Sequence, residues 1–122
     1  MEERDLARML AWGRIGIGIA GALMPSTLAR AWTGRRQPAF PTNMIAKGLG
    51  VRDIALGVGL LTALDGSGSA KPWLRAGAAA DAADAAGTLG SWSELGRLRG
   101  LGLLTLEVGA AVVGLSLADS LD

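Results

Sequence analysis

Three polar junctions carrying Gly, Pro or Ser cut this chain into four apolar stretches, and the length of those stretches is the tightest constraint on what it can fold into. The junctions are Arg35-Arg36-Gln37-Pro38 to Pro41-Thr42-Asn43, then Asp65-Gly66-Ser67-Gly68-Ser69, then Ser91-Trp92-Ser93-Glu94. Between them lie residues 6–32, 44–64, 72–90 and 94–118, approximately. A helix rises about 1.5 Å per residue, so about 20 residues match the ~30 Å hydrocarbon core of a bilayer. Each stretch has recognisable helix ends. Thr42 or Asn43 can cap the second, Pro72 suits a first helical turn, and Ser91 to Glu94 has capping-box spacing. The pattern predicts an all-α, polytopic membrane protein: one domain over residues 1–122, a bundle of four transmembrane helices.

A soluble helical bundle is the competing fold. Against it, the third stretch, Ala76-Gly77-Ala78-Ala79-Ala80-Asp81-Ala82-Ala83-Asp84-Ala85-Ala86, has no large side chain with which to exclude water from a core. In a bilayer, by contrast, helices associate through close contact of Ala and Gly. Ala, Leu and Gly fill half of the 122 positions, and charged residues make up only 19%, below the ~25% of ordinary soluble domains. No stretch is free of charge over 18 residues, the longest uncharged run being Ile15 to Ala29. Trp12 and Trp32 are 20 apart and Trp73 and Trp92 are 19 apart, the spacing of two aromatic belts on spanning helices. Ala29-Arg30-Ala31 has the look of a signal-cleavage site, but the leading residues Met1-Glu2-Glu3-Arg4-Asp5 are acidic, so an uncleaved first helix is expected. The expected location is the inner (cytoplasmic) membrane, multi-pass. Arg30, Arg35, Arg36, Arg97 and Arg99 on one side outnumber Arg4, Arg8, Lys71 and Arg75 on the other, which leans towards both termini outside.

Missing residue types narrow the chemistry. The chain has no His, no Cys and no Tyr. That removes His-ligated haem, thiolate metal sites, disulfides and the His-assisted nucleophiles. No catalytic residue, cofactor or metal site is expected. A net charge of +1 gives no field for a polyanion, so nucleic acid is not an expected partner.

What needs explaining is the charge inside the apolar stretches: Arg14, Arg52, Asp53, Asp81, Asp84 and Glu107, with Lys47 nearer an end. Unpaired at the centre of a bilayer, each would cost about 2.5–3.5 kcal/mol. Helical periodicity places Arg14 on a stripe with Ala11, Gly18 and Gly21, and Asp53 with Gly50 and Gly57. Asp81 and Asp84 share theirs with Gly77, Ala80 and Thr88, and Glu107 is a heptad from both Gly100 and Gly114. The charged face is thus the small-residue face, and the six residues are expected to form one polar network inside the bundle. Two arginines do not balance four carboxylates. Either Lys47 reaches in, or a carboxyl is protonated, or water penetrates, and the Asp81/Asp84 pair holds the most chemical promise.

The run Gly48-Leu49-Gly50-Val51-Arg52-Asp53-Ile54-Ala55-Leu56-Gly57 is distinctive. Together with Gly13-Arg14, a Trp-containing first connection and an Asp-x-x-Asp third helix, it resembles a family of small four-helix integral membrane proteins of unknown function, common in actinobacteria. The resemblance covers nearly the whole chain. It implies a fold and a membrane location and no activity, so Arg52, Asp53, Asp81 and Asp84 come with it as signature positions without a role. Small multidrug exporters place a carboxylate in the first helix within an aromatic box, whereas this first helix carries Arg14 and the chain has one Phe and no Tyr. The Thr-Thr-Phe-Ser track of fluoride channels is absent.

Three functions remain, ranked. First is an accessory or structural component of a membrane assembly, its network serving as polar glue between helices. Second is a small proton- or ion-coupled transporter, and third an intramembrane carboxylate-dependent enzyme acting on a lipid-soluble substrate. The expected partners are the lipid bilayer and either a homo-oligomer or a larger membrane complex.

Overall fold

The computed structural model describes residues 2–36 and 38–121, so Met1 of the acidic lead and Gln37 of the first junction lie outside the described residues. These residues form six helices and no strand. Four are long: α1 (Glu3–Leu23), α3 (Phe40–Thr62), α4 (Lys71–Gly90) and α6 (Arg97–Ser120). Two are short: α2 (Pro25–Thr33) and α5 (Trp92–Leu95).

The predicted helix over 6–32 is two helices. Pro25 has no N–H to donate and starts a new helix, while Met24 at the junction leaves helical geometry at φ −131°, ψ 59°. The Trp12–Trp32 distance is therefore not measured along one helix. Trp12 falls mid-way along α1, away from any end, and only Trp73 and Trp92 flank a single long helix, α4. The fourth stretch is also interrupted, because Gly96 at φ 81° separates α5 from α6. Pro72 does occupy the first turn of α4. The capping box at Ser91 does not form, and α3 begins ahead of Thr42 at Phe40, with Pro41 in its first turn.

Three of the long helices show one seam each, spaced alternately four and three residues. On α1 it is Ala7, Ala11, Arg14, Gly18 and Gly21; on α3, Ala46, Gly50, Asp53, Gly57 and Leu60; on α4, Leu74, Ala78, Asp81, Ala85 and Thr88. A period of 3.5 keeps a seam facing its neighbour along the whole helix. With seams this small the helices approach closely. A Cβ on Gly50 would lie 2.6 Å from both the Gly18 carbonyl oxygen and the Ala22 nitrogen, so α1 and α3 meet backbone to backbone. α1 packs chiefly on α3 and α4 chiefly on α6, giving two antiparallel pairs.

The pairs join in layers. At the end holding both termini, Ala7, Leu60, Leu64, Leu74, Leu117 and Leu121 form an apolar plug drawn from all four long helices and the turn after α3. Arg4 donates to the Leu64 carbonyl there, and Arg8 bonds Asp65 at 2.6 Å. Charges occupy the middle, and a cavity opens at the α2/α5 end.

Large side chains point outward. Leu60 and Leu74 are the large residues fully buried, whereas twenty large apolar residues among those described are exposed, including Met9, Trp12 and Ile17 on α1 and Leu106, Val112 and Leu115 on α6. Two helices, α1 and α6, are long and apolar enough to cross a membrane. Four were expected. α3 and α4 have the length, but any 18-residue window of α3 contains Lys47, Arg52 and Asp53, and any such window of α4 contains Arg75, Asp81 and Asp84.

The close contact of α1 and α3 has a consequence of opposite sign at two glycines of one helix. Gly50→Ala is expected to destabilise the protein by about 1–3 kcal/mol through overpacking. Gly48→Ala, whose Cβ would meet nothing within 4 Å, should stabilise it by up to about 1 kcal/mol through helix propensity. Thermal unfolding in detergent, followed by circular dichroism, reads both; equal effects would contradict the packing described.

Candidate functional site

All six charged residues singled out in the sequence lie near the midpoint of their helices: Arg14 on α1, Arg52 and Asp53 on α3, Asp81 and Asp84 on α4, Glu107 on α6. The bundle brings five of them into one row of alternating sign, Asp81–Arg14–Asp53–Arg52–Asp84, which leaves α4, crosses α1 and α3, and returns to α4.

The row is anchored by two forks. Arg14 donates Nη1 to Asp81 Oδ1 at 3.1 Å and Nη2 to Oδ2. Arg52 donates Nη1 to Asp84 Oδ1 at 2.9 Å and Nη2 to Oδ2 at 2.7 Å. A planar guanidinium against a carboxylate in this way makes two charge-assisted bonds in one fixed geometry, which a Lys ammonium cannot reproduce. Asp53 sits between the two arginines, 3.6 Å from Arg14 and 3.2 Å from Arg52. The first fork is buried, with side chains 8% and 10% exposed, and the second is more open at 29% and 28%.

Small residues make the reach possible. A Cβ on Gly77 would lie 2.8 Å from Arg14 Nη2, so the absent side chain is the space the guanidinium occupies. This is why the stripe that carries charge is also the stripe that carries glycine.

Glu107 stands apart. Its partner is a hydroxyl: Thr88 Oγ1 lies 2.6 and 2.9 Å from its two oxygens and donates its one proton between them. Lys47 is exposed on α3 and does not reach in. Counted as ionised, the row carries one excess negative charge and Glu107 adds a second. Asp81 and Asp84, the pair of most chemical promise in the sequence, are held separately, each by its own arginine; of the four carboxylates singled out, Glu107 is the one without a cation beside it.

Above the row, towards the α2/α5 end, lies a cavity of about 550 Å³. Its floor includes Asp84 and Thr88, its walls Ile45, Leu49, Gly87 and Leu103, and its mouth Trp32, Arg35 and Glu94. The sequence predicts one network of six charged residues; the structure joins five and leaves Glu107 outside it, and the spacing of charges indicated neither Thr88 as the partner of Glu107 nor the cavity. Thr88 was visible as a member of the Asp81 stripe, and its position a helical turn beyond Asp84 was the available signal. Among the described residues no group of three or more carboxylates is arranged to hold a metal ion. Chemically, the arrangement can hold helices in register and can offer negative charge to a bound molecule.

The two forks should differ in weight. Removing one member of a buried pair leaves the other charge uncompensated, so Asp81→Asn is expected to cost about 3–5 kcal/mol of stability in detergent. Asp84→Asn, in the more open fork, should cost about 1.5–3 kcal/mol. The double substitution Arg14→Met with Asp81→Leu should recover part of the single-mutant loss, because it leaves neither member of the fork unpaired while Asp53 keeps Arg52. Equal losses from the two Asn variants would contradict this ordering.

The chain matches no family model, no curated protein and no solved structure.

Proposed function

We propose that the chain is a four-span, multi-pass protein of the inner membrane that acts as an accessory or structural component of a membrane assembly, its charge row holding the bundle together. The observation that carries this reading is the pairing within the row: both arginines are forked by aspartates of another helix, so the charges are engaged in joining helices. The same pairing supports passage of α3 and α4 through lipid, since Arg52, Asp53, Asp81 and Asp84 at their midpoints are paired inside the bundle. The outward-facing apolar side chains support it as well: twenty large ones among the described residues are exposed, spread over all four long helices. With short connections between helices, lateral helix faces are what the chain offers to a partner or to a second copy of itself.

The cavity favours a second reading, a small proton- or ion-coupled carrier, because it is open at one end of the bundle and reaches Asp84 at mid-depth.

Labelling tests the four-span arrangement directly, since the chain has no native Cys. Ser69→Cys should react with a membrane-impermeant maleimide from outside intact cells, and Arg36→Cys only after permeabilisation. Reaction of both from one side would leave α3, which they bracket, uncrossed and defeat the four-span reading. To separate the two functions, purified protein in liposomes should show no proton flux above empty vesicles, and mild-detergent purification at native expression should retain a larger membrane partner. A flux abolished by Asp84→Asn in a folded protein would reverse the ranking.

A further inference from the structure

We propose that the cavity at the α2/α5 end is a binding site for an amphipathic organic cation. Its volume, about 550 Å³, lies within the range that takes a small organic molecule. Ile45, Leu49 and Leu103 give it apolar walls, so an occupant must present a largely hydrocarbon surface. The charge of that occupant follows from the floor. Asp84 accepts two bonds from Arg52, which leaves lone pairs of its four on a side chain that is 28% exposed. Thr88, also in the floor, joins the cavity to Glu107, the carboxylate with no cation beside it.

The row and Glu107 together hold two more negative than positive groups; of these Asp84 lines the cavity, and Glu107 lies behind Thr88. An anion placed there would meet Asp84 and Glu94, the two carboxylates that line the cavity. A cationic head would supply the missing charge, while its hydrocarbon part covers the apolar walls. At the mouth Arg35 and Glu94 are both exposed and of opposite sign, and Trp32 adds an aromatic ring, a surface that attracts cations. The inference concerns equilibrium occupancy and goes beyond both readings of function given above.

Gly87 provides a clean test. It lines the cavity, and a Cβ built on it meets nothing within 4 Å, so a side chain can start there without a clash and Gly87→Leu adds bulk at the cavity lining. Binding of radiolabelled tetraphenylphosphonium to the detergent-purified protein is measured by equilibrium dialysis, with tetraphenylborate as the anion of the same shape. Saturable binding of the cation is expected at about one site per chain. Gly87→Leu and Glu107→Gln should each weaken it at least tenfold, and tetraphenylborate should show no saturable binding. If Glu107→Gln fails to fold, the cation–anion comparison and Gly87→Leu still decide. Equal binding of both ions, retention of binding within twofold in Gly87→Leu, or absence of saturable cation binding would each overturn the proposal. So would a tightly held phospholipid that wild-type protein carries through purification and Gly87→Leu does not.

Discussion

The alternating row Asp81–Arg14–Asp53–Arg52–Asp84 is the interaction that fixes how the two helix pairs sit against one another. Within each pair, α1 with α3 and α4 with α6, close packing of glycine and alanine is sufficient to bring helices together. Between pairs the contacts are sparser, an apolar plug at the end holding the termini and, at mid-depth, the two guanidinium forks. Small side chains pack in several registers at similar energy, because an Ala–Gly seam slid by one turn presents nearly the same surface. A fork does not tolerate that slide. Moving α4 by one turn, about 5.4 Å, would break both pairs of bonds at once.

On the four-span reading, the row also accounts for charge at the middle of long apolar helices. Each charged group, if unpaired in lipid, would cost about 2.5–3.5 kcal/mol, so a bundle with its pairs mismatched is penalised several times over. Replacing such pairs by apolar residues is often neutral for stability. What the pairs supply here is selection of one arrangement among many of similar packing energy. The energetic asymmetry runs along the bundle axis as well: a dry plug at one end, paired charge at the centre and an open cavity at the other.

Much of the site was legible in the sequence because a charge within an apolar stretch is conspicuous. Arg14, Arg52, Asp53, Asp81, Asp84 and Glu107 all lie at the centre of the bundle, and their placement beside Gly and Ala anticipated close packing around them. Their partners were not legible. Asp81 and Asp84 invited treatment as one acidic pair, yet three residues along a helix separate them by about 4.5 Å of rise and about 60° of rotation. That offset aims one at α1 and the other at α3, and each meets its own arginine. The break at Met24 and Pro25 is marked in the sequence by the proline alone, within a stretch whose hydrophobicity is continuous on either side.

By itself, the sequence determined the number and length of the helices' apolar stretches, the small-residue seams, and the fact that charge had to be satisfied inside. Those are local or periodic properties, set by side-chain type and by the pitch of a helix. Tertiary structure decided which arginine holds which aspartate, that Glu107 is left with a hydroxyl, and that the space beyond Asp84 stays open. Pairing of that kind depends on the relative rotation and height of helices distant in sequence. No periodicity within one helix encodes it.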